Sequence, residues 1–131
     1  MRIVIGSVVK GFALKSAVRG YLEQNGYEVI DVGCYDTSVF AKFPSIAERA
    51  AKVLQDGGAD LGILSCGSGT GMALAIGKFS GICAVSCESP LAAEFVRYQD
   101  PTALIMLKAK GCLSEVAFVH PAMEARDRRL T

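Results

Sequence analysis

The chain has 131 residues, enough for one domain spanning 1–131 around a single core. It is 51% hydrophobic and 21% charged with a net charge of +1, so nothing calls for nucleic acid or an acidic membrane as partner. No apolar run is long enough to span a bilayer, and the strand-like start Met1-Arg2-Ile3-Val4-Ile5-Gly6 does not read as a signal peptide.

The five cysteines include no CxxC pair and read as reduced thiols of a cytoplasmic protein. His120 is the only histidine, so no metal centre is expected.

Taken in order, residues 2–6 form a β-branched apolar run closed by glycine, which predicts a buried strand. Residues 12–25 follow as a helix, with Leu14, Ala17, Val18, Tyr21 and Leu22 on one face and Asn25-Gly26 as its stop. A second strand is expected over 28–32 and an aperiodic loop over 33–43. A helix starts at Pro44-Ser45 and runs to about Gln55, with Ile46, Ala50, Val53 and Leu54 inward. Residues 61–65 form a third strand, apolar on both faces. Further elements are a short helix over 71–78, a strand over 81–86, a helix over 90–97 and a strand over 103–107. A last helix is expected over 113–128, with Pro121 inside it. Five alternations of strand and helix require right-handed crossovers and a parallel sheet with helices on both faces.

The stretch with chemical character is Leu61-Gly62-Ile63-Leu64-Ser65-Cys66-Gly67-Ser68-Gly69-Thr70-Gly71-Met72. A buried strand ends in cysteine, and glycines recur at every second position before an alanine-rich helix. A buried, inert thiol in a βα turn is one reading of Cys66. The glycines favour another: bare amides at a helix start, where orphan donors and the macrodipole attract an anion. No Gly-Lys-Ser/Thr follows, so this is not a nucleotide P-loop. The GxGxG spacing is not the dinucleotide GxGxxG either. The charged tail with Arg126, Arg128 and Arg129 reads equally as a solvated helix end or as an arm for phosphate.

Nearly the whole chain resembles the family of ribose-5-phosphate isomerase B and the two galactose-6-phosphate isomerase subunits. The likeness runs through Arg2-Ile-Val-Ile-Gly-Ser7, Gly11-Phe-x-Leu-Lys15, Gly26-Tyr-Glu-Val-Ile-Asp-Val-Gly33, Phe43-Pro44, the cysteine–glycine turn and Gly77-Lys-Phe-Ser-Gly-Ile82. The resemblance implies a three-layer Rossmann-like α/β fold with a five-stranded parallel sheet. It implies a dimer or dimer of dimers whose sites are shared between subunits, with no cofactor. The activity it implies is aldose–ketose isomerisation of a sugar phosphate through an enediolate, without a metal. Cys66 would be the base, and Gly67, Ser68, Gly69, Thr70 and Gly71 would hold the developing oxyanion.

The departures fall on the substrate grip. The family's Asp-His after the first strand is Val8-Val9 here, followed by Lys10, which one of the galactose-6-phosphate subunits also carries. The family's ring-opening His-Asn is Tyr98-Gln99: Tyr98 is the second catalytic candidate, since a tyrosine can donate a proton although it is a poor base at neutral pH, and Gln99 keeps an amide for the substrate. Arg126, Arg128 and Arg129 are the candidates to stand in for the family's phosphate-binding arginines, Arg126 and Arg129 foremost. Two functions are therefore expected. One is a sugar-phosphate isomerase whose substrate is not ribose 5-phosphate. The other is a non-catalytic member, either a silent subunit beside a paralogous partner or a small-anion binding protein.

Overall fold

A computed structural model describes residues 1–36, 38, 42–66, 75–82, 84–87 and 104–108. Strand β1 (Arg2–Ser7) is followed by a 3₁₀ turn (Val9–Gly11) and helix α1 (Phe12–Gln24). Then come β2 (Glu28–Asp31), α2 (Phe43–Gln55), β3 (Leu61–Cys66), β4 (Ala84–Cys87) and β5 (Leu104–Lys108). The described strands lie in the order β2-β1-β3-β5-β4, and every pair is parallel.

The strand 61–65 was expected to be interior, and β3 does lie between β1 and β5. Register Ile3↔Leu61, Ile5↔Ile63 and Ser7↔Ser65 puts those six residues on one face, because strand side chains alternate. The α1 side chains Leu14, Val18 and Leu22 are buried at 4%, 1% and 0% exposure, as the helical periodicity predicts. On the other face Val4 and Leu64 join Val32, Ile76 and the small α2 face Ile46, Ala47, Ala50 and Ala51 in one cluster. Alanine pairs let α2 approach closely. A Cβ built on Gly6 would come within 2.9 Å of the Ile46 side chain. The connections run through α1 to one side of β1 and through α2 to the other, so the sheet is doubly wound.

Several boundaries move. Helix α1 ends at Gln24, one residue early: Asn25 leaves helical geometry and its Nδ2 donates to the Tyr21 carbonyl at 2.8 Å. Helix α2 begins at Phe43, with Pro44 in its first turn, where a missing N–H costs nothing. The strand expected over 81–86 is Ala84–Cys87, because Gly81 has φ +77° in a turn and cannot extend the strand backward. Of the helix expected over 71–78, Ala75 and Ile76 are helical, while Gly77 and Lys78 are in a turn. The helices expected over 90–97 and 113–128 lie outside the described residues, as do residues 71–74.

One charge inside this frame was not expected. Lys15 is 4% exposed on α1. Its Nζ lies 3.0 and 2.9 Å from Asp31 Oδ1 and Oδ2 and also donates to the Cys34 carbonyl. The two side chains are 3% and 9% exposed, so water does little to screen the pair. Asp31 also accepts from the Gly33 N–H at 2.9 Å and from Arg19 Nη1 at 3.2 Å. The phenyl ring of Phe12 lies 5.1 Å from the ammonium, within cation–π range.

Lys15→Ala strands a carboxylate and a carbonyl in the interior. Breaking a buried pair costs about 3–5 kcal/mol, and about 3 is expected because Arg19 and the Gly33 N–H remain on Asp31. Denaturant unfolding measures it, and a loss below about 1 kcal/mol would mean the pair behaves as a solvated one.

Candidate functional site at the carboxyl ends of strands 1 and 3

Open parallel sheets bind ligands where neighbouring strands lead to opposite faces, outside their carboxyl ends. Here that point lies between β1 and β3. Ser7 and Ser65 are register partners at 0% and 3% exposure. Past Ser65 the backbone of Cys66 still pairs, with Lys108 of β5. Past Ser7 the chain turns at Val8 (φ −86°, ψ 176°) into the 3₁₀ turn, which carries an exposed Lys10. Lys10 makes no ion pair among the described residues.

The 3₁₀ turn is seated directly on β3. Ser65 Oγ donates to the Gly11 carbonyl at 3.1 Å in a buried contact. A Cβ on Gly11 would stand 2.7 Å from the Ser65 carbonyl oxygen, so only glycine fits. Ser7 Oγ is buried with no hydrogen-bond partner among the described residues. Val8 packs against the α2-side core cluster, so where the resemblance implies an acidic residue this chain places an apolar wall.

The loop after β2 closes the other flank. Ser7 N–H donates to the Gly33 carbonyl at 2.6 Å and Cys34 N–H donates to the Ser7 carbonyl at 2.7 Å. Gly33 holds φ +113°, and a side chain there would meet Arg49 Nη1 at 3.1 Å. Arg49 Nη1 in turn donates to the Val32 carbonyl at 3.1 Å. Cys34 is buried as a free thiol, its Sγ 3.3 Å from the Asp36 carbonyl. The Ser38 N–H bonds Asp36 Oδ1 at 2.9 Å and holds that carboxyl below its ordinary range. Tyr35 is 67% exposed, and its hydroxyl donates to the Asp31 carbonyl at 3.0 Å. The flank is therefore tied to β1 by backbone bonds and to α1 by the Lys15–Asp31 pair.

Of the residues singled out in the sequence, Lys10 and the backbone of Cys66 come to the same sheet edge. Gly67, Ser68, Gly69, Thr70, Gly71, Tyr98, Gln99, Arg126 and Arg129 lie outside the described residues. Sequence reasoning missed Lys15, Asp31 and Ser65 as elements of the edge. The available signal was weak: Lys15 follows Leu14 next to the apolar stripe, and Asp31 closes an apolar strand. Ser65 was hidden by its place inside a run read only as buried strand.

Similarity to known proteins agrees with this architecture. Residues 3–119 match the family model of the ribose/galactose isomerases. The chain is 43% identical over 97 residues to a 4-deoxy-4-sulfo-D-erythrose isomerase of Clostridium sp. (strain MSTE9), covering 74% of this chain and 61% of that one. It is 36% identical over 116 residues to ribose-5-phosphate isomerase B of Escherichia coli K12, covering 88% and 77%. The solved structure of Clostridium thermocellum ribose-5-phosphate isomerase B superposes with a TM-score of 0.87 at 29% identity, over 95% of this chain and 84% of that one. The matched stretch thus spans under two thirds of the sulfo-sugar isomerase and most of the other two. With a family match across almost the whole chain and the same parallel α/β architecture, the protein belongs to the ribose/galactose isomerase family.

Proposed function

We propose that the protein is an aldose–ketose isomerase of a short, open-chain sugar with an anionic end, working from a doubly wound sheet of five strands. The observation that carries this reading is the arrival of Cys66 at the switch-point edge beside the turn bearing Lys10. Cys66 is the base. Its thiolate removes the proton from C2 of the aldose, and the electron pair forms the enediolate. The amides of Gly67, Ser68, Gly69, Thr70 and Gly71 hold the oxyanion. The thiol returns its proton to C1 while the hydroxyl proton passes from O2 to O1. A thiol beside a helix start ionises more readily than a free one, which suits it to this task. The anionic end is held by Lys10 with Gln99, Arg126 and Arg129.

Two departures from the family favour a four-carbon substrate. Tyr98 replaces the histidine that opens a ring, and the Val8 wall replaces a polar grip. A tetrose with its anion on C4 has no free C4 hydroxyl to close a furanose, so it needs no ring opening. The Clostridium relative is named for such a sugar, 4-deoxy-4-sulfo-D-erythrose. The working unit is a homodimer or dimer of dimers. A second reading is a silent subunit paired with a paralogue, or an anion-binding protein. It rests on the same loss of polar groups at Val8 and Val9.

Cys66→Ser should lower kcat by about 10²–10⁴-fold with little change in KM, since a serine hydroxyl stays protonated where the thiol ionises. Steady-state assays on D-erythrose 4-phosphate test it, and turnover surviving in the variant would remove Cys66 from the mechanism.

Four-carbon substrates, D-erythrose 4-phosphate and 4-deoxy-4-sulfo-D-erythrose, should exceed ribose 5-phosphate in kcat/KM by at least about thirtyfold, the ~2 kcal/mol that a lost charged contact costs at the least. Equal turnover of ribose 5-phosphate would contradict the substrate assignment. No turnover of any of these sugars by the purified chain would move the weight to the silent-subunit reading.

A further inference from the structure

We infer that Ser65 is a positioning residue: its buried bond to Gly11 fixes the separation between Lys10 and Cys66, and so sets where the substrate's anionic end lies relative to its reacting carbons. The inference rests on the isomerase reading for the roles of those two residues. Its geometry is independent of that reading.

Ser65 immediately precedes Cys66, and Gly11 immediately follows Lys10. One contact therefore joins the two stretches a single peptide away from each functional group. That contact has two parts. Ser65 Oγ donates to the Gly11 carbonyl at 3.1 Å with both residues buried. The Gly11 Cα sits so close to the Ser65 backbone that an added Cβ would be 2.7 Å from its oxygen, 2.8 Å from its carbonyl carbon and 2.8 Å from its Oγ. The 3₁₀ turn has no capping side chain of its own: Val8 makes no cap bond, and neither does Gly11 at the start of α1. Its described hydrogen bonds are Gly11 N–H to the Val8 carbonyl at 3.0 Å and Phe12 N–H to the Val9 carbonyl, both local, and the Ser65 bond, which reaches the sheet.

Packing alone does not ask for a hydroxyl at Ser65. Its register partner Ser7 has a buried hydroxyl with no partner among the described residues, so a polar group at this level of the sheet is not automatically satisfied. At Ser65 it is satisfied, and by the turn that carries Lys10. Removing it leaves the Gly11 carbonyl without this buried donor and lets the turn shift on β3. The displacement is felt by Lys10 more than by Cys66, whose strand stays paired on both sides of residue 65.

The test is a double-mutant cycle on the full chain with Lys10→Ala, Ser65→Ala and the double variant. Two readouts are taken: KM and kcat on D-erythrose 4-phosphate, and the Kd of inorganic phosphate by calorimetry, which needs no turnover. Ser65→Ala should raise KM and the phosphate Kd about tenfold with kcat changed far less. In the Lys10→Ala background it should change neither further. Ser65→Cys, of nearly the same volume with a weak donor, should fall between wild type and alanine, and it carries the comparison if alanine lowers Tm. Effects that add in the double variant, or a Ser65→Ala chain that matches wild type, would overturn the inference. So would a fall in kcat with KM unchanged. If no sugar is turned over but phosphate binding shows the Lys10–Ser65 coupling, the isomerase reading fails and the positioning role holds. Absence of both turnover and phosphate binding overturns both.

Discussion

The parallel register between β1 and β3 is the constraint on which the rest of this molecule depends. Pairing Ser7 with Ser65 ends the two central strands at one level. The candidate site then lies within a few residues of that level: Val8 to Gly11 after one strand, Cys66 as the last residue of the other. A slip of one residue in β1 would turn Ile3 and Ile5 from the α1 face to the α2 face and bring Val4 to the α1 face. Both faces of these strands are buried against different helices, so the slip sets side chains shaped for one helix against the other and costs packing on both. The register is therefore held by the whole core, and the site inherits its precision from it.

Around this axis the polar groups are spent on holding loops. Lys15 and Asp31 lose hydration on burial, which opposes folding, and the gain is a defined path for residues 32–35 against the end of β1. Arg49 does the same from the α2 side through the Val32 carbonyl. Lys10 is the contrast. It stays exposed with no acid paired to it among the described residues, a cation free to meet an anionic ligand. The ribose/galactose isomerase frame thus persists while the groups above it differ from the family pattern, Val8 being an apolar wall packed into the core.

The doubly wound order was legible because buried strands and amphipathic helices have different periods, and α1 shows the expected Leu14, Val18 and Leu22 face. The cysteine–glycine turn stood out because packing does not require three alternating glycines, but past Cys66 it lies outside the described residues. Lys15 was not, since a lysine beside an apolar stripe ordinarily lies on the solvated flank. Only the tertiary approach of Asp31 and the Cys34 carbonyl makes its burial tolerable. The start of β4 was misplaced because Gly81 and Ile82 read as strand, and a positive φ at Gly81 leaves no local trace in composition. Ser65 and Gly11 are far apart in sequence, so their contact is a product of the register alone.

The central proposal is that Cys66, the last residue of β3, serves as a thiolate base on a sugar phosphate, and differential alkylation tests that directly. Iodoacetamide labelling of the native protein, followed residue by residue by peptide mass spectrometry across pH 5–9, gives a rate for each cysteine. The account predicts that Cys66 reacts fastest, with an inflection below the ~8.5 of a free thiol, and that D-erythrose 4-phosphate protects it alone. Labelling of Cys66 no faster than of Cys83, Cys87 or Cys112, with no protection by the sugar phosphate, would contradict it.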